Sequence, residues 1–212
     1  MKNVFFKPWV GDNYLLKGLN GKKLLILGES HICGGCNECG DLNITDLDCR
    51  EFTTNVVKGF LKYKSGDKEH SHWMNTYTKF GNVLYNKSLN YDETLALWNS
   101  VIFYNYVQYS TTEARKSPLK EEFTKSEAAF FEILKTYQPD LIIIWGNRLW
   151  DELPQNGEFG KEKILYNGIN RGPFYYYLSG DKKIPGFMIN HPSSSKFDYS
   201  WYESFKEVLE MI

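Results

Sequence analysis

The chain has 212 residues, 42% of them hydrophobic and 17% aromatic, and its 25 Lys+Arg against 26 Asp+Glu leave a formal net charge of −1. That apolar share is enough for a packed core. A charge near zero excludes both a disordered chain, whose mark is low hydrophobicity with high net charge, and a globally basic nucleic-acid binder. Any nucleic-acid contact must come from a local patch. The opening residues MKNVFFKPWVGD break their apolar run with Lys7, Pro8 and Asp12, so they lack a signal-peptide core. No stretch reaches the ~20 apolar residues of a membrane span, so a soluble cytoplasmic protein with no membrane partner is expected.

Residues 22 to 28, KKLLILG, form an apolar run too short for a helix and closed by glycine, and read as a buried strand. The segment after it holds all four cysteines: Cys33, Cys36, Cys39 and Cys49. In an intracellular chain this grouping is not a disulfide framework. Four thiolates with two x2 spacings, and with glycines at 34, 35 and 40 to let the backbone wrap, suit a Zn2+ ion or an iron-sulfur cluster, with His31 as a substitute ligand. The same stretch carries Glu38, Asp41, Asp46, Asp48 and Glu51 against Arg50 alone, which repels a phosphate backbone.

Weaker helical signals lie near residues 51 to 63, 72 to 86 and 92 to 98, followed by a second apolar strand at 100 to 107. Thr124 and Glu127 have capping-box spacing, and Phe130, Phe131, Leu134 and Tyr137 follow on one face until Pro139 ends the helix. Residues 140 to 146 and 185 to 190 are two further strands. Pro173 to Leu178 reads as an edge strand or as a hairpin with Ile164 to Tyr166. A last helix has Asp198 as cap and Trp201, Phe205, Val208, Leu209 and Ile212 at helical spacing. Near-continuous apolar strands alternating with helices imply parallel pairing with both faces covered. The expected architecture is a three-layer α/β/α sandwich around a mainly parallel four-stranded sheet. With no linker or repeat, one domain over 1–212 is expected, with a cysteine-rich loop at 31–50.

In an open parallel sheet, ligands sit beyond the carboxyl ends of the strands. The residues there are Gly28-Glu29-Ser30-His31, Asn105, Gly146-Asn147-Arg148 and His191-Pro192-Ser193. Taken together, Gly28-Glu29, Asn105 within FYNYVQ, Pro139-Asp140 to Gly146, Arg171-Gly172 and His191-Pro192-Ser193 resemble, in order, the motifs of the uracil-DNA glycosylase superfamily, especially its iron-sulfur branch. The resemblance spans residue 23 to the end.

It implies an N-glycosidase that hydrolyses the bond between deoxyribose and a flipped uracil or related base in DNA. Glu29 would stabilise the cationic sugar or orient water, and His191 would donate to the base carbonyl. Gly28, Ser30, Asn105 and Ser193 would shape the base site, with Asn105 matching the uracil edge. The chain departs from the family where Ser30-His31-Ile32-Cys33 replaces Ala-Pro-Gly, and its cysteines are not the family's two separated pairs. Two alternatives stay open: an inactive nucleobase-, nucleotide- or nucleic-acid-binding protein of the same fold, and a serine hydrolase using Ser30 with His191, although GESHI lacks the second glycine of a nucleophile elbow. Candidate DNA-facing cations are Lys58, Lys62, Lys64 and Lys68, or Arg115, Lys116 and Lys120.

Overall fold

A computed structural model describes the chain except residues 34–38, 40–46, 114–115, 162–163, 167–168 and 172–173, and gives only the backbone of residues 47, 164–166 and 169–171. In chain order the elements are β1 (Trp9–Val10), β2 (Leu24–Gly28), β3 (His31–Ile32), α1 (Leu47–Arg50), α2 (Phe52–Ser65), α3 (Met74–Leu84), α4 (Tyr91–Trp98), β4 (Val101–Asn105), β5 (Ser110–Thr111), α5 (Lys120–Tyr137), β6 (Leu141–Trp145), α6 (Asn147–Glu152), β7 (Glu158–Phe159), β8 (Ile164–Tyr166), β9 (Ile169–Arg171), β10 (Tyr175–Ser179), β11 (Lys182–Ile189) and α7 (Trp201–Met211). No helix among the described residues is long and apolar enough to cross a membrane.

The fold is mixed α/β. Its main sheet runs β1-β4-β2-β6-β11-β10-β7, and the four expected strands form the parallel centre β4-β2-β6-β11. Every residue of β2, β4 and β6 is buried, which is why these strands read as unbroken apolar runs. Three antiparallel strands extend the edges, so the sheet has seven strands rather than four: β10 falls on the added strand expected at Pro173 to Leu178, while β1 and β7 are absent from the sequence expectation.

Alternate strand residues divide the core between the two faces. Leu24, Ile26, Phe103 and Ile143 pack with Phe60 of α2, Phe80 of α3, Trp98 of α4 and Phe205 of α7. Leu25, Leu27, Tyr104 and Ile144 pack with Phe130 and Ile133 of α5 and Leu149 of α6.

Two boundaries differ from the sequence expectation. α5 starts at Lys120, one turn before the expected cap; the Thr124 hydroxyl lies inside the helix and bonds the Lys120 carbonyl, while Glu122 accepts the Leu119 N–H. The short turn Ser117-Pro118-Leu119, with Glu121 and Glu122 in the first turn, is the actual start signal. β10 does not pair with residues 164–166, which instead pair with β9. It forms a hairpin with β11 through Gly180-Asp181, where Gly180 takes φ +62°. Asp198, expected as the cap of the last helix, instead accepts from the Ser200 N–H at 2.9 Å in the turn before it; the N-cap of α7 is Ser200, with no side-chain cap bond.

The order of the parallel strands follows from the connections. The chain passes from β2 to β4 on one side, crosses back to β6 on the other side of β2, and continues outward to β11. The order reverses between β2 and β6, so the carboxyl ends of this pair are where an open α/β sheet binds its ligand.

Candidate functional site at the carboxyl edge of the sheet

Glu29 leaves the end of β2 and Arg148 opens α6 just past β6, one on each side of the switch point. The guanidinium takes both carboxylate oxygens: Nε donates to Oε2 at 2.6 Å and the second nitrogen donates to Oε1. Its third nitrogen donates to the Ser117 hydroxyl at 2.6 Å, bracing the pair from the loop before α5. Glu29 is 12% exposed and Arg148 50%, so the acid is sheltered beneath an accessible cation. The carboxylate raises the guanidinium pKa further above its ordinary value. A planar fork fixes the carboxylate orientation in a way that a lysine does not.

His191 follows β11, and the Gly146 N–H bonds the Ile189 carbonyl at 2.9 Å, so the chain segments carrying Arg148 and His191 leave the sheet side by side. Gly146 at φ +102° makes the turn into α6 directly under the His191 Cβ. The ring stands edge-on to Trp145. The Ser193 N–H, at 3.2 Å, points to Nδ1, and the Ser193 hydroxyl lies 2.8 Å from the same nitrogen. Nδ1 is therefore the acceptor, and the proton sits on Nε2. Burial, helped by the positive charge of Arg148, lowers the imidazole pKa to about 4, so the ring is neutral at neutral pH with an Nε2–H to donate. Lys79 holds the loop from below through the Ser194 carbonyl at 2.7 Å.

Gly28 and Asn105 are register partners, but the Asn105 amide turns away from the open mouth. Its Nδ2 lies 3.2 Å from the Ser30 carbonyl and 3.1 Å from His31 Nδ1. Since this amide nitrogen only donates, His31 carries its proton on Nε2, which meets the Thr53 hydroxyl at 2.8 Å. Phe6 and Phe52 enclose the ring, with centroids 4.8 and 4.7 Å away. Burial pulls the His31 pKa down to about 3, and in this arrangement both ring nitrogens have polar neighbours. Ser30 contributes its carbonyl to this cluster. Among the described residues no hydrogen bond joins Ser30 to His191, and Ser193 holds Nδ1, the nitrogen a serine hydrolase gives to its orienting carboxylate.

Gly28 lacks a Cβ for a reason visible in the same cluster. A Cβ there would sit 2.1 Å from Asn105 Oδ1 and 3.2 Å from the Phe103 ring. Gly28→Ala should cost about 1–3 kcal/mol in urea unfolding, since Asn105 is pinned at its other end. An unchanged midpoint would mean that Asn105 moves freely.

His31 gives the fold an acid sensitivity of defined sign. Between 6.5 and about 3 the unfolded chain takes up a proton that the folded chain refuses, so stability is full above pH 6.5 and falls as pH drops. His31→Gln should shrink the loss of unfolding free energy between pH 7 and pH 5 by about 2 kcal/mol. An undiminished loss would show that the folded protein protonates His31.

Of the four cysteines expected to hold a metal, Cys36 lies outside the described residues. β3 and β5 form a small parallel pair beyond the main sheet; the Cys33 N–H bonds the Thr111 carbonyl at 2.9 Å and Cys39 Sγ lies 3.1 Å from the Ser110 hydroxyl, so both converge on the tip of β5. Cys49 lies on α1, which the N-terminal segment secures through Lys7 N–H to the Arg50 carbonyl. Among the described residues no three Cys, His, Asp or Glu side chains are grouped to hold an ion.

Of the proposed DNA-facing cations, Lys62, Lys64 and Lys68 lie at or beyond the last turn of α2, whose first turn meets His31 through Thr53. They are therefore at the far end of a 14-residue helix from the mouth. Lys116 and Lys120 flank the Ser117 brace, and Arg115 lies outside the described residues. Sequence reasoning placed Arg148 among the residues beyond the strand ends but gave it no role; its only signal was a basic side chain two residues after the glycine that follows β6. No protein-family model matches the chain, and comparison with curated proteins finds no significant match.

Proposed function

We propose that the protein is an N-glycosidase of the uracil-DNA glycosylase type, built on a three-layer α/β/α frame around the four parallel strands, and that it hydrolyses the base–deoxyribose bond of a flipped uracil or related base in DNA. The observation that carries this reading is that the carboxyl ends of the parallel strands carry a sheltered carboxylate held by Arg148 and a neutral imidazole that feels the same Arg148 charge and has its Nδ1 engaged by Ser193. As the bond from C1′ to the base nitrogen lengthens, positive charge gathers on the sugar and negative charge on the base oxygens. Glu29 is a fixed anion for the first and His191 a preorganised donor for the second. Water supplies the hydroxyl that bonds C1′, and its proton leaves with the base. Neutrality suits His191, because donation from Nε2 needs no change of charge on the enzyme before the base departs.

One observation favours the second reading, a binding protein of the same fold: the Asn105 amide, which would read the base edge, is committed to Ser30 and His31. Titration calorimetry beside a base-release assay, on uracil-containing single and double strands, separates the two. Release of free base supports the glycosidase, and binding without release supports the alternative. A metal held by Cys33, Cys36, Cys39 and Cys49 is part of the proposal as a brace for the loop, resting on the spacing alone. Elemental analysis with an absorption spectrum of the purified protein tests it, and absence of both zinc and iron would remove it.

A further inference from the structure

The sequence between β3 and α2 carries Glu38, Asp41, Asp46, Asp48 and Glu51 against Arg50 alone, so a nucleic acid gains from a local cation as it approaches Glu29. Arg148 is a cation bonded to Glu29 itself, and its bonding leaves capacity. A guanidinium has five N–H donors. Two serve Glu29 and one serves Ser117, which leaves two on a side chain that is half exposed. A sugar whose C1′ faces Glu29 carries a phosphodiester on either side, so an accessible guanidinium fixed to that same carboxylate lies within the space the phosphates must cross.

We infer that Arg148 is a phosphodiester contact of the bound strand as well as the positioning residue of Glu29, so that one side chain couples strand binding to carboxylate placement. The inference rests on the nucleic-acid reading above but not on base release. Glu29 and an incoming phosphate share one cation, which makes the acid an internal competitor of the strand. That gives the two residues opposite signs in a binding measurement, which a merely structural ion pair would not.

The test is fluorescence anisotropy with a labelled single-stranded oligodeoxynucleotide, titrated at salt concentrations from about 50 to 200 mM, with folding of each variant checked by circular dichroism. Arg148→Gln should weaken binding about five- to tenfold and reduce the salt slope by about 0.7, the share of one phosphate contact on a single strand. Arg148→Lys should keep the slope. Glu29→Gln should tighten binding about threefold or more, by removing the negative charge that competes with a phosphate for the guanidinium. Wild-type protein that binds no oligonucleotide, an Arg148→Gln variant with unchanged affinity and slope, or a Glu29→Gln variant that binds more weakly would each overturn the inference. Base release measured on the same samples separates the two claims: binding with these signs but no release rejects the glycosidase and leaves the Arg148 contact standing.

Discussion

Glu29→Gln should lower base release from a uracil-containing strand by about 10²–10³-fold, the usual effect of removing one preorganised electrostatic group from a reacting centre. Glutamine keeps the shape of the side chain and can still meet Arg148 through its amide oxygen, but it presents no negative charge to the cationic sugar. The loss should appear in the single-turnover rate, with strand affinity kept or improved. His191→Ala should act on the other end of the breaking bond, by about 10²-fold, and the double variant should fall short of the product of the two, since both groups serve one transition state. Equal single-turnover rates for wild type and Glu29→Gln would remove the carboxylate from the mechanism. Because His191 titrates at about 4, activity limited by its neutral form should persist on acidification to near pH 5 and fall below it. A decline centred on 6.5 would show an ordinary, solvated imidazole.

The second large effect lies behind the site. Gln108 is buried and uses its whole amide: Oε1 accepts from the Phe5 and Phe6 N–H groups at 2.8 and 3.0 Å, and Nε2 lies 3.1 and 3.3 Å from the Asn105 and Tyr106 carbonyls. It clamps the N-terminal segment, whose Phe6 ring closes over His31, to the loop leaving β4. Gln108→Leu has similar volume but orphans two buried N–H groups, at about 1–3 kcal/mol each. Urea unfolding should therefore lose about 3–5 kcal/mol, a large part of a typical domain's stability. A loss below 1 kcal/mol would mean that the N-terminal segment contributes little to the fold.

How much was legible follows from what each element owes to local sequence. β2, β4, β6 and β11 announce themselves because a strand buried on both faces has to be apolar at nearly every position. β1 and β7 have two residues each, too few to show a period, and pair with the edge of a longer strand, while β3 and β5, equally short, pair with each other. Glu29 and His191 were found by the rule that ligands meet strand ends, and the structure puts both there. Arg148 was not singled out, because its partner lies 119 residues away and nothing local distinguishes it from a solvated helix-start arginine. Asn105 shows the reverse: an amide at a strand end reads the same in sequence whether it faces a ligand or a neighbour, and here burial of His31 claims it. Gln108 is invisible for the same reason, since its acceptor oxygen serves residues more than a hundred positions earlier.

In the proposed reaction Glu29 and His191 together break a base–sugar bond. The most direct measurement is a single-turnover reaction with enzyme in excess over a single-stranded oligodeoxynucleotide carrying one deoxyuridine, in which free uracil and abasic sites are both quantified. The expected result is one equivalent of each per strand, suppressed about 10²-fold or more in Glu29→Gln. An intact strand after prolonged incubation with stoichiometric, folded wild-type protein would contradict it.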